Sequence, residues 1–237
     1  MKMGILRVTA IHKPVYRTRI HIRSQWLASI GFVQGALVSV VPRQDGLTLS
    51  LQDKNSTLIK EERHKLIRVG LENKHPKPLC YLAVNFTKNF SIPGLSAGDF
   101  LAAGYGYGII KAMKLPSADK YVVVGSQNYS AFLQLSGGWL SDIGFMPDAV
   151  VTVSLTHGNI ILSLWKGDTM EYSEIVKFAR KHKYQLIQVR KNQHITTLDI
   201  SGYLLDSAGF IEGDISGIRY EYGIIRLFKP DLKKLGF

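Results

Sequence analysis

"SQWLASIGFVQGALVSVVPRQDGLTL", residues 24–49, comes back 113 positions later as "GGWLSDIGFMPDAVVTVSLTHGNIIL", residues 137–162. The pattern W-L-x-x-I-G-F recurs with its spacing intact. A third copy, "GYLLDSAGFIEGDISGIRYEYGIIR" (202–226), places Leu204 at the tryptophan position. A further copy, "IPGLSAGDFLAAGYGYGIIKAMK" (92–114), is clipped. Its tail "GDFLAAGYGYGIIK" aligns without gaps onto "GDISGIRYEYGIIR" (213–226), but about seven residues are missing upstream, where the other copies carry their helix. The order along the chain is full, clipped, full, full. The first and third copies share a similar lead-in, "GILRVTAIHKPVY" and "KYVVVGSQNY". Duplication of a two-repeat unit accounts for this, with a boundary near "LPSADK" (115–120). The predicted halves are 1–118, with a full repeat at 22–52 and a helix-deleted one at 90–115, and 119–237, with repeats at 133–165 and 198–229.

Each copy reads as strand, short helix, strand, turn, strand, which predicts a mainly β protein with short helices. In the first copy "RTRIHIR" (17–23) alternates with period two. Ser24 is the expected N-cap, and Trp26, Leu27 and Ile30 form one apolar helical face. Gly31 falls where a left-handed residue ends a helix, and Phe32 where a side chain packs back onto it. "ALVSVV" and "LTLSL" then form a hairpin around "RQDG". "GYGYG" (104–108) reads as a hairpin turn and not a phosphate loop, because Gly108 aligns with Gly223. The basic stretches at 57–69 and 171–189 read as amphipathic helices between copies. A unit of roughly 30 residues cannot bury its own core, so copies must pair, and interleaved hairpins are one way to do it.

Charge is distributed unevenly. The chain of 237 residues carries a net +12 with 46% apolar residues. Residues 1–118 hold 17 Lys/Arg against 6 Asp/Glu, and the remainder hold 13 against 12. That asymmetry points to a polyanion bound by the first half. No apolar run approaches the ~20 residues of a membrane helix, and the N-terminus lacks the pattern of a signal peptide. A single cysteine, Cys80, gives no internal disulfide, so a cytoplasmic location and no membrane partner are expected. Cys80 itself sits in an apolar run and is expected to be a buried small hydrophobe.

The strand, the [S/G]-x-W-L-x-x-x-G-F motif and the hairpin closing on G-x-[IL]-x-[IL] together resemble the SymE-type toxin module. That family is placed among the AbrB/MazE-like swapped-hairpin β-barrels. The resemblance is best at 5–51 and 121–165, weaker at 198–229 and partial at 90–115. The chain departs from the family in being long and tandem. The resemblance implies four AbrB/SymE-like copies in two pseudo-symmetric halves, a monomer with internal pseudo-dimers or a homodimer, and engagement of DNA or RNA. SymE-type proteins are described as toxins acting on RNA, and a chromosome-binding role has been discussed.

The candidate nucleic-acid contacts are Arg17, Arg19, His21 and Arg23 on the alternating strand, with Arg7, Lys13 and Arg43 nearby and Lys177, Arg180, Lys181 and Lys183 as a second group. Arginine's planar fork grips phosphate bidentately and stacks on bases, which favours a phosphate-binding role. The competing explanation is edge-strand protection, in which charge deters unwanted pairing. In the third copy the positions of Arg17, Arg19, His21 and Arg23 hold Ser130, Phe132, Gln134 and Ser136, so the fold itself does not demand charge there. Trp26, Trp139, Phe32 and Phe145 are expected in the core. No metal-ligand spacing or catalytic-nucleophile signature is present, and no metal or cofactor is expected. If the chain were an enzyme it would be an RNA endonuclease, with His21 or His12 as proton carrier beside Arg17 and Arg19. The alternative function is a protein-interaction module, antitoxin-like or an adaptor, that reuses the duplicated fold.

Overall fold

In the computed structural model, which describes residues 2–11, 17–52, 65–72, 78–87, 90–165, 172–182 and 185–235, strands dominate and the helices are short. The chain divides into two units. Met1–Ser117 with Asp231–Phe237 form unit 1, and Ala118–Pro230 form unit 2. Unit 1 holds β1 (Lys2–Ile11), β2 (Arg17–Arg23), α1 (Trp26–Ser29), β3 (Leu37–Arg43), β4 (Gly46–Leu51), β5 (Lys65–Arg68), β6 (Gly70–Glu72), β7 (Leu79–Asn85), β8 (Phe100–Gly106) and β9 (Ile109–Lys114). Unit 2 holds β10 (Lys120–Val123), β11 (Gly125–Gln127), β12 (Ser130–Ser136), α2 (Gly138–Asp142), β13 (Val150–Thr156), β14 (Asn159–Leu164), α3 (Tyr172–His182), β15 (Gln185–Gln188), β16 (Arg190–Asn192), β17 (Ile195–Ile200), α4 (Gly202–Ser207), β18 (Ile215–Glu221) and β19 (Ile224–Phe228).

Unit 2 arranges its strands in two sheets, β10-β18-β19-β14-β13-β15 and β11-β12-β17-β16. Exchanging its first five strands with its last five, in order, reverses both sequences and leaves the pairings unchanged. The hairpin of one copy therefore lies beside the hairpin of the other, and each lead-in strand pairs with the other copy's hairpin. Unit 1 follows the same scheme in one sheet, β5-β3-β4-β9-β8-β1-β2-β7-β6. Its β1 does the work of both β10 and β11, pairing with β8 through Arg7 and with β2 from Val8 onward. These sheets are open among the described residues; none closes into a barrel.

Hairpin tips lock the copies together. The Gly108 N–H donates to the Ile30 carbonyl at 2.8 Å, and the Gly223 N–H to that of Ile143 at 2.8 Å. In the opposite direction, Gly158 donates to Ala208 at 2.7 Å and Asp45 to Pro93 at 3.0 Å. The clipped copy thus keeps the docking point, Pro93–Gly94, although no helix lies between β7 and β8 among the described residues. Gly31 and Gly144 have φ of +94° and +91°, and the partner tip leaves no room for a side chain. A Cβ at Gly31 would meet Leu51 Cδ1 at 2.9 Å and the Tyr107 ring at 3.2 Å; one at Gly144 would meet Leu164 Cδ1 and the Tyr222 ring, both at 3.1 Å. That explains why W-L-x-x-I-G-F retains its glycine.

Each unit has its own apolar core. Phe32, Phe145 and Phe210, one from each full copy, are completely buried. Cys80 is buried as expected. Three expectations need correction. Residues 65–68 are a strand, not part of a helix, because Ile67 packs on the core while the backbone pairs with β3; the rest of that stretch, with Lys60 and Arg63, lies outside the described residues. In the second basic stretch α3 covers only 172–182, and the chain then becomes β15, which pairs with β13. Trp26 and Trp139 are half-buried against the core and not inside it, stacked on Tyr105 and Tyr220 respectively.

Candidate nucleic-acid interface

β2 obeys its alternation: Ile20 and Ile22 are buried to 0% and 2% exposure, whereas Arg19, His21 and Arg23 lie on the other face. Burial of each isoleucine contributes about 1.5–3 kcal/mol, so the apolar row fixes which way the basic row points. β2 pairs with β1 over residues 17–20 and with β7 over 19–23, so it is flanked on both sides at Arg19 and Ile20. Edge protection therefore does not explain Arg19, which is paired on both sides.

The basic row opens into a concave cleft of ≈ 530 Å³ where β1 leaves β8 for β2. Arg7 from β1 joins Arg19, His21 and Arg23 in its lining. The far wall is Trp26 stacked on Tyr105, with ring centres 4.0 Å apart and planes 9° apart. Arg7 also lies over the Phe100 ring at 5.3 Å. Arg23 Nε pairs with Glu72 at 3.0 Å, so one guanidinium is partly held by an acid from β6. Ser24, the expected N-cap, accepts the Trp26 N–H at 3.4 Å, although Gln25 occupies the formal cap position.

His21 packs edge-on against Tyr81 at 5.5 Å. Its burial, followed by the Arg19 charge, holds its pKa below 6.5; Glu72 pulls it upward and Arg23 downward. The imidazole is therefore neutral at pH 7. Because the unfolded chain takes up this proton more readily, the associated stability is present above pH 6.5 and is lost as pH falls through the lower folded value. Replacing His21 with Gln, the residue unit 2 carries there, is expected to flatten the decline in unit 1 stability between pH 7 and pH 5. Denaturant titrations across that range measure it, and an unchanged decline would rule out this role for His21.

The other sequence-derived candidates scatter. Arg17 begins β2, paired with Ile11. Lys13 and His12 lie outside the described residues, as does Lys183. Arg43 is exposed at the tip of β3–β4, away from the cleft lining. Lys177, Arg180 and Lys181 form the exposed face of α3 in unit 2, opposite the buried Ile175 and Ala179. Sequence reasoning missed Tyr105 and Gly4, both in the cleft lining. Tyr105 aligns with Tyr220 across the copies, a pairing visible in the repeat alignment. Among the described residues no cluster of three or more His, Cys, Asp or Glu side chains is placed to hold a metal ion.

No protein-family model matches the chain, and searches of curated proteins and of solved structures return no match.

Proposed function

We propose that this chain binds nucleic acid through the cleft of unit 1, on a swapped-hairpin fold of the AbrB/SymE-like kind. The fold assignment is supported by the strand order, in which the two hairpins of a unit exchange about a pseudo-twofold axis. One observation carries the function: Arg7, Arg19, His21 and Arg23 line a single concavity together with a stacked indole–phenol pair. Guanidinium groups suit phosphate, and aromatic faces suit bases. The equivalent place in unit 2, whose half of the sequence is almost neutral, carries Val123, Phe132, Gln134 and Ser136. Cleavage of RNA would also need a proton donor opposite the neutral His21.

The test is fluorescence anisotropy of the full chain with single-stranded RNA, single-stranded DNA and duplex DNA over a range of salt. With three or four phosphates engaged, log K is expected to fall linearly with log salt, with a slope of about −2 to −3 for a single strand. Absence of binding, or binding indifferent to salt, would overturn the proposal; the second result would point to an apolar, protein-directed surface.

A further inference from the structure

In unit 2 a lysine lies on the aromatic pair equivalent to Trp26–Tyr105. There the Lys120 ammonium lies 4.3 Å from the centre of the Trp139 ring and 6.0 Å from that of Tyr220. Lys120 pairs with Ile218 on β18, and Gly4 pairs in the same register with Ala103 on β8. Gly4 is thus the counterpart of Lys120, and from this strand position no side chain covers the Trp26–Tyr105 stack. The same cleft gains Arg19 and Arg23 where unit 2 has Phe132 and Ser136. One cleft carries its own cation on its aromatic wall. In the other, Gly4 places no side chain on that wall, and the rim is cationic.

The geometry points to a specific ligand class: an unpaired nucleotide within a single strand, its base on the Trp26–Tyr105 stack where Lys120 sits in unit 2, and its phosphates on Arg19 and Arg23. This rests on the nucleic-acid reading above and narrows it. A duplex hides the faces of its bases in its own stack, so an aromatic wall gains nothing from it, whereas a splayed base offers a π-face of any sequence. A base also answers the electrostatics of the site, since guanidinium groups stack on planar rings as well as pairing with phosphate.

The experiment compares three labelled probes on the full chain: a mixed-sequence single strand, an abasic strand of equal length and charge, and a duplex. The wild type is expected to bind the ordinary single strand about tenfold more tightly than the abasic strand. Gly4→Lys copies unit 2 into unit 1. A Cβ at Gly4 meets Tyr105 Cε1 at 3.8 Å, an ordinary contact, so the fold accommodates the change. Although it adds positive charge, Gly4→Lys is expected to bring single-strand affinity down to the abasic level, about a tenfold loss. Equal wild-type binding of the ordinary and abasic strands overturns the inference without needing any variant. So does Gly4→Lys binding as tightly as wild type. Both results leave salt-dependent phosphate binding standing, whereas failure of every probe to bind wild type removes both proposals.

Discussion

Serine at Arg7, Arg19 and Arg23 together is expected to weaken nucleic-acid binding by about a hundredfold at moderate salt. A hydrogen bond to a charged group contributes at least about 1 kcal/mol net at a half-exposed site, and three of them sum to roughly two decades of affinity. The salt slope should shrink by about 2 in the same experiment, because each lost phosphate contact removes about 0.7 for a single strand. The Arg23–Glu72 ion pair is partly exposed, and breaking such a pair costs about 0–1 kcal/mol of stability. Unit 2 holds the same strand in the same pairing with no charge at the matching positions of β12. A variant that keeps the wild-type slope would exclude the cleft as the phosphate site.

Phe145→Ala is expected to cost unit 2 about 3–5 kcal/mol. The ring is completely buried and follows the left-handed Gly144, and its N–H donates to the Leu140 carbonyl at 2.8 Å, closing the end of α2. Truncation leaves a cavity between two copies whose hairpins are mutually anchored, so neighbouring strands cannot collapse into it. Against typical domain stabilities of about 5–15 kcal/mol the loss is large. Phe145→Leu should lose much less, and the clipped copy supports that comparison, since Leu95 follows Gly94 there as the phenylalanine follows its glycine elsewhere. Chemical denaturation of the two variants measures the difference. A loss below about 1 kcal/mol for the alanine would mean the core is not built around this ring.

The repeats made much of the fold legible. W-L-x-x-I-G-F predicted the short helix, its left-handed glycine and the buried phenylalanine, because all three follow from local chain geometry. The GYGYG segment was readable as a turn through its alignment with the last copy, and Gly108 indeed sits at the tip with φ +72°. What stayed hidden was long-range. Nothing in "RTRIHIR" says that β1 and β7 both pair with it at Arg19, yet that is what removes edge protection as the reason for that charge. Likewise Trp26 looked like core because tryptophan on an apolar face usually is. It is instead half-buried, stacked on Tyr105, a partner remote in sequence. The strand at 65–68 was masked by a short apolar–basic pattern compatible with either period, and pairing with β3 decided it.

The exchange of hairpins also sets a timetable for synthesis. β4 ends at Leu51, but its neighbour β9 ends only at Lys114, 63 residues later. At roughly 5–20 residues per second the first hairpin waits roughly 3–13 s on the ribosome before its partner emerges. In unit 2, β14 waits in the same way for β19, which ends at Phe228. The nascent chain thus presents a half-built sheet twice over, with an unpaired β4 edge that fits β19 by repeat homology as well as β9. Because β9 emerges long before β19 exists, order of synthesis favours pairing of β4 with the hairpin of its own unit.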